Sequence, residues 1–386
     1  MFEKIITKRF VTALEHVQYG SLFLSLPDGS NHFFEGPNPG PHADLGINSL
    51  AAVQMLSAKG DVGFSEAFRL GYWETSDLEE LFLFALRNES SLDDYIGGTV
   101  VSRLFSQMGY LFNLNSVRGS RRNIQQHYDL GNDFYSLWLD PSMTYSSALY
   151  RSKSDSLEAA QDQKYDRLLD RIDNQKGSIL EIGCGWGGFA QRAIERCGRP
   201  LKGLTLSKEQ LKYAERRLNG EAEFVLQDYR HERNVYDNIV SIEMFEAVGT
   251  KYWKQYFQQV NRLLRRGGKA LIQSIVIEDD RFESYRRGSD TIRSYIFPGG
   301  MLPSDERFTK VAEAGGMSVT DRFSFGKDYA KTLREWLRSF EKALPEVRSL
   351  GYDDSFIRLW RYYLASCAAS FETGRINVMQ YELVHT

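Results

Sequence analysis

From about residue 155 onward, apolar residues recur alternately at helical and at strand spacing, and this alternation restricts the fold more than any other property of the 386-residue chain. The pattern predicts a helix over Leu157–Ile172, a strand over Ser178–Ile182, a helix over Gly188–Cys197 and a strand over Pro200–Leu206. It continues with a helix over Lys208–Leu218, strands over Ala222–Leu226 and Asn238–Ile242, a helix over Tyr252–Leu264 and a strand over Ala270–Ile277. Such alternation with short connections implies an α/β fold: a parallel doubly wound sheet whose ligand sits beyond the carboxyl ends of the strands.

The flanking regions read differently. Apolar runs at Leu22–Leu24 and Phe33–Phe34, broken by Pro27-Asp28-Gly29 and by Pro37–Pro41, read as strands joined by turns. Leu50–Leu56 and Leu78–Leu86 have helical spacing. The expected order is a small α+β domain over residues 1–115, a linker over 116–125 around Gly119, and one domain over 126–386. Within the last, residues 280–375, clearest as helices at Lys331–Phe340 and Phe356–Phe371, read as a helical cap. A length of 386 residues fits more than one hydrophobic core.

A net charge of −3 argues against a dedicated nucleic-acid binder, whose footprint is basic. Cys184, Cys197 and Cys367 are too few and too scattered for a disulfide framework or a metal cluster, and they suit a reducing cytoplasm. Residues 1–10 lack the apolar core of a signal peptide, and no run of about 18 apolar residues is present. The expectation is a soluble cytoplasmic protein, peripheral to the inner face of a membrane at most. Aromatic residues make up 13%, enough either to line an apolar pocket or to fill large cores.

The run Leu180-Glu181-Ile182-Gly183-Cys184-Gly185-Trp186-Gly187-Gly188 follows a predicted strand and opens a helix. Glycine suits a sharp turn where a ligand must approach the backbone with no Cβ in the way. Alone, the run would also fit a dinucleotide fold. Leu204-Thr205-Leu206-Ser207 and Leu226-Gln227-Asp228-Tyr229 close the next two strands, at the positions that face ribose and adenine in Rossmann-like methyltransferases. The spacing is that of a class I S-adenosylmethionine (SAM) site.

Further motifs make the likeness specific: Gln126–Asp133, Met143-Thr144-Tyr145-Ser146, Met244-Phe245-Glu246, Tyr295–Pro298 and Phe325–Tyr329. With the glycine run, they make the chain resemble the cyclopropane fatty acid synthase family over nearly its whole length. Gly60–Phe68 and Gly71-Tyr72-Trp73 resemble that family's N-terminal lipid-binding domain. The resemblance implies transfer of one carbon from SAM to the double bond of an unsaturated phospholipid acyl chain. It also implies cofactor contacts at Tyr128, Tyr145, Ser146, Gly183, Gly185, Thr205, Gln210, Gln227 and Asp228.

An alkene is a weak nucleophile, so the reaction needs accurate positioning, exclusion of water and a setting that tolerates a carbocation until a base removes a proton. Glu243 and Glu246, just after the fourth strand, read either as such carboxylates or as charges complementing a helix N-terminus. In the family the base is a bicarbonate held by Cys, Glu, His, Tyr and the backbone of an Ile. Glu246, Tyr329 and Ile275 match that cage, whereas Ser147 replaces the Cys, Gln273 replaces the His, and Ala247 follows the Phe-Glu pair where His is usual. Ser and Gln still donate hydrogen bonds, but a neutral amide lacks the charge of an imidazolium, so bicarbonate should bind more weakly or differently. Proton loss directly from the added methyl closes a cyclopropane ring, and a prior hydride shift gives a methyl- or methylene-branched chain. The absent Cys and His favour the branched outcome.

Reaching an acyl chain means meeting an anionic membrane surface, which attracts basic clusters. The candidates are Arg118, Arg121 and Arg122; Arg262, Arg265, Arg266 and Lys269; and Arg281, Arg286, Arg287 and Arg293, with Phe297 and Met301 as lipid contacts beside the last. Two other readings stay open at this point: a methyltransferase for a soluble small molecule, and a noncatalytic lipid carrier that keeps the fold. Homo-oligomerisation also stays open.

Overall fold

The computed structural model describes residues 2–96, 130–172, 177–288 and 290–386. The chain forms two compact units, one of Met1–Phe112, Glu283–Pro298 and Leu344–Arg375, the other of Asn113–Phe282, Gly299–Ala343 and Ile376–Thr386. Residues 280–375, read above as one cap, thus divide between the units. The expected linker at 116–125, with Arg118, Arg121 and Arg122, lies outside the described residues.

The first unit carries a four-stranded sheet of β1 (Tyr19–Ser25), β2 (Asn31–Glu35), β3 (Asn38–Ile47) and β4 (Trp73–Glu74), in the order β2-β1-β3-β4. Leu22 and Leu24 of β1 point into its core. The Pro37–Pro41 stretch reads as a break between strands, yet β3 runs through Pro39 and Pro41. The reason lies in β1, which bulges between Tyr19 and Ser21. Gly20 takes φ +69° there, and a Cβ on it would stand 2.0 Å from the Pro41 carbonyl oxygen. Behind the sheet, Trp73 stacks on Phe64 with ring centroids 4.1 Å apart, and Tyr362 meets Phe82 edge-on at 4.8 Å.

The second unit is built on seven strands: β5 (Ile179–Ile182), β6 (Leu201–Thr205), β7 (Glu223–Leu226), β8 (Tyr236–Ile242), β9 (Leu264–Ile277), β10 (Met317–Ser324) and β11 (Ile376–His385). Their order is β10-β11-β9-β8-β5-β6-β7. Strands β5 to β9 are parallel, as the alternating pattern predicts. Strands β10 and β11 pair antiparallel and extend the sheet beyond β9, so the sheet is mixed and not wholly parallel. β10 is a polar edge strand, and the chain between β10 and β11 runs through several helices, so no hairpin turn marks the pair.

Two local features place the site. From β5 the chain steps outward to β6 and β7, then returns to lay β8 against the other side of β5. That reversal opens a crevice at the carboxyl ends of β5 and β8. The helix Leu157–Asp170, capped by the Ser156 side chain, buries Ala160, Lys164, Tyr165 and Leu168 along one face. Tyr165, Leu168 and Leu169 of this face join Ile179, Phe189 and Leu201 in one apolar cluster.

On the other side of the sheet, Phe308 is fully buried and stacks on Tyr381 of β11 with centroids 3.9 Å apart. Removing such a ring leaves a cavity as well as losing its transfer energy. Phe308→Ala should cost about 3–5 kcal/mol, read as a lowered urea midpoint with unchanged slope.

Candidate active site

After Ile182 the chain turns through Gly183 (φ +84°), Gly185 (φ +51°) and Gly187 (φ +83°), backbone angles that strain any side-chain-bearing residue. A Cβ on Gly183 would stand 2.9 Å from the Met244 side chain, whereas one on Gly185 would have nothing within 4 Å, so the turn is open to a ligand there. The amides of Gly183 and Cys184 both donate to the Leu204 carbonyl, tying the turn to the end of β6.

The expected nucleotide contacts gather beside this turn. Thr205 Oγ1 donates to Gln210 Oε1 at 2.9 Å and accepts from the Ser207 amide, and the Thr205 carbonyl accepts from the Gln227 amide. Asp228 is buried against Arg230, whose guanidinium donates to both of its oxygens at 2.8 and 2.6 Å. Ser146 Oγ accepts from Lys164 Nζ at 2.6 Å. The Tyr145 ring packs within 5.5 Å, centroid to centroid, of Tyr135, Trp138 and Trp336. Tyr128 lies outside the described residues. Glu181 is buried, and its Oε2 has no hydrogen-bond partner. An open glycine turn beside an unsatisfied buried carboxyl fits a cationic, nucleotide-bearing ligand.

The carboxylates after β8 are held differently from one another. Glu243 adopts φ +49°, the left-handed region that a non-glycine residue enters only under constraint. Its Oε1 accepts from the Ser147 amide at 2.9 Å and from Gln273 Nε2 at 2.7 Å, and its Oε2 accepts from Tyr329 Oη at 2.7 Å. The donors expected to cage an anion therefore already hold the Glu243 carboxyl group. Glu246 Oε1 accepts from the Ile275 amide and from Ser274 Oγ, while its Oε2 is buried without a partner. A separate bicarbonate does not fit this donor set, because Ser147, Gln273 and Tyr329 turn to Glu243, and Ile275 to Glu246.

Removal from water dominates the electrostatics. It raises the Glu246 carboxyl to about 8, with the neighbouring Glu243 charge adding to the effect and the Ile275 and Ser274 hydrogen bonds opposing it. Glu243 is also raised by burial, against the pull of the Lys164 charge and its three hydrogen bonds. Lys164 is fully buried, which lowers its ammonium to about 7, while Glu243, Asp140 and Glu181 pull the other way. Four carboxyl groups, those of Glu246, Glu243, Asp140 and Glu181, and the single amine of Lys164 thus act on one another.

The model of the mycolic acid cyclopropane synthetase family matches residues 115–381. The chain belongs to this family. It is 35% identical to the tuberculostearic acid methyltransferase UfaA1 of Mycobacterium tuberculosis over 86% of this chain and 81% of that protein. It is 34% identical to the cyclopropane-fatty-acyl-phospholipid synthase of Escherichia coli over 88% and 87%. Among solved structures, the mycolic acid cyclopropane synthase CmaA1 in complex with SAH and CTAB superposes with a TM-score of 0.64 and 33% identity, covering 68% of this chain and 97% of that one. The second unit thus has the Rossmann-like class I methyltransferase fold of this family.

Sequence reasoning missed Lys164, Asp140 and Gln380. The signal for the lysine was present: it interrupts an apolar stripe, Ala160, Lys164, Leu168, at four-residue spacing. Met301, expected at lipid, is instead buried, and its amide donates to the Glu246 carbonyl. Most cations of the two described basic clusters have acidic neighbours, such as Arg265 with Asp237 and Arg293 with Asp290, both at 2.6 Å.

Because the folded Glu246 binds its proton more tightly than the unfolded chain does, its contribution to stability is full below about pH 4.5 and is lost as pH rises toward 8. Glu246→Gln should remove this loss, so urea melts at a series of pH values should show the variant gaining on the wild type between pH 5 and 8.

Proposed function

We propose that this protein transfers one carbon from SAM to the double bond of unsaturated acyl chains in membrane phospholipid, and that its products are methyl- or methylene-branched chains. The observation that carries the choice of product is the Glu243 carboxylate seated on Ser147, Gln273 and Tyr329. Bound SAM supplies an electrophilic methyl group. Gly183 and Gly185 would leave room for it, Thr205, Gln210, Gln227 and Asp228 would border its nucleotide, and Tyr145, Ser146 and Glu181 would face its amino-acid end.

The chain's own chemistry begins once the alkene π electrons have formed the new bond to the methyl carbon, whose old bonding pair stays with the sulfur of S-adenosylhomocysteine, and have left a cation on the acyl chain. The aromatic group of Tyr135, Trp138, Tyr145 and Trp336 offers ring faces to that cation. Tyr329, 6.0 Å from Trp336, joins this group to the carboxylate. Glu243, fixed by three donors, accepts the proton that leaves the cation after a hydride has shifted, and the C–H electrons form the new double bond. Glu246, raised to about 8, stays protonated at neutral pH and adds no second charge. A fixed side-chain base has less freedom to follow the added methyl than a small ion, which allows time for the hydride shift.

The substrate is reached at the membrane surface from the cytoplasmic side. Among the described residues no helix is long and apolar enough to cross a membrane. The exposed Arg262, Arg265 and Arg266 carry the attraction to anionic head groups.

The test is incubation with labelled SAM and vesicles of defined unsaturated phospholipid, followed by mass spectrometry and NMR of the acyl chains. A branched product is expected, and a cyclopropane ring as the sole product would overturn the reading. Glu243→Gln should keep SAM affinity within about threefold while product formation falls about 10²–10⁴-fold, the usual worth of a positioned base. Glu243→Ala frees the donors, so millimolar bicarbonate should restore part of its rate.

A further inference from the structure

Behind Glu243 runs a line of hydrogen bonds that the chemistry above does not use. Gln273 donates through Nε2 to Glu243 and accepts through Oε1 from Gln380 Nε2 at 2.9 Å. Gln380 in turn accepts through Oε1 from Arg167 Nη1 at 2.7 Å. Gln273 and Gln380 are directly opposite each other on β9 and β11, and Phe323 lies opposite Gln380 on β10. Both amides are buried, at 0% and 2% exposure, so neither exchanges its partner for water. The Arg167 guanidinium lies 3.9 Å over the Phe323 ring and 3.5 Å from Asp321, which fixes it at the outer end.

The direction of this line is not arbitrary. An amide can be turned over with almost no change of shape, exchanging its donor for its acceptor. A guanidinium only donates. Arg167 therefore obliges Gln380 to present its oxygen outward and its nitrogen inward. Gln273 is obliged to follow, and its NH₂ meets Glu243. Turned over, Gln273 would set a carbonyl oxygen against the carboxylate, and only a protonated Glu243 could satisfy it.

We infer that Gln380 and Arg167 are positioning residues that select the amide orientation of Gln273 and thereby the proton affinity of Glu243. This rests on the reading of Glu243 as the proton acceptor. The other groups facing Glu243 are Lys164 from the helix Leu157–Asp170, Tyr329 from the helix Gly326–Lys342 and Glu246 from the turn after β8; Asp140 and Glu181 bear on Lys164. Among the described residues no hydrogen bond joins any of them to the Gln273–Gln380 pair, so their influence is constant when that pair is altered.

The experiment uses the full chain with Gln380→Glu, Arg167→Glu and Arg167→Lys. A carboxylate at 380 only accepts, so it takes the Gln273 NH₂ and turns the Gln273 oxygen to Glu243. A carboxylate at 167 reverses Gln380 in the same sense from a partly exposed position, which keeps the test available should the buried variant fail to fold. Infrared spectra recorded against pH follow the protonated-carboxyl band, and its loss in Glu243→Gln assigns it to Glu243. In both glutamate variants that band should persist to a pH about one unit higher than in the wild type, and the acid limb of the pH–rate profile should move with it. Arg167→Lys, still a donor, should titrate as the wild type. A band that does not move in the folded glutamate variants overturns the relay. A band that moves while the rate profile stays fixed leaves the relay standing and removes Glu243 as the base.

Discussion

One carboxylate organises this site. Glu243 draws a backbone amide from Ser147, an amide side chain from β9 and a phenol from the helix Gly326–Lys342 onto its two oxygens. Three segments distant in sequence are thereby brought to a single point. A buried carboxylate without them would face a desolvation cost of several kcal/mol and would escape it by protonation. Its three donors and the Lys164 charge make ionisation tolerable, and the same donors are those that the family resemblance assigns to a bound anion. Gln273, where the family has His, donates its side-chain amide to Glu243, whereas Ser147 contributes its backbone amide and turns its hydroxyl to the Ala148 carbonyl.

The second carboxylate shows the converse. Glu246 is a few residues further on, is satisfied on one oxygen only, and lies beside a charge of its own sign. Two acids so close do not both ionise at neutral pH, and the difference in their hydrogen bonds decides which keeps its proton. Lys164, buried without a carboxylate at ion-pair distance among the described residues, balances the group at longer range.

Much of the second unit is legible in the chain because β5 to β8 are short and mostly apolar and most are joined by helices with one regular buried face. The helices Gly188–Cys197 and Lys208–Leu218 begin and end where the periodicity places them. The glycine turn and the strand-end residues are legible for the same reason: the fold puts the carboxyl end of each strand at the crevice. Illegible were the features that depend on distant partners. β10 alternates polar residues because it is an edge, and β11 pairs across a long helical interval. The fate of the cage donors needed the conformation of Glu243, which no spacing encodes. Gln380 reads as an ordinary polar residue until β11 is set against β9. In the first unit, the path of β3 through two prolines depended on a bulge at Gly20, a steric detail with no periodic signature.

The left-handed backbone at Glu243 has a practical corollary. Holding a side-chain-bearing residue there costs of order 1 kcal/mol or more, and glycine or asparagine would relieve it. Directed evolution that rewards heat resistance alone would be drawn to this position and would return sturdier proteins without the carboxylate proposed as proton acceptor. Engineering of the scaffold for harsher conditions should therefore hold residue 243 constant and seek its gains elsewhere.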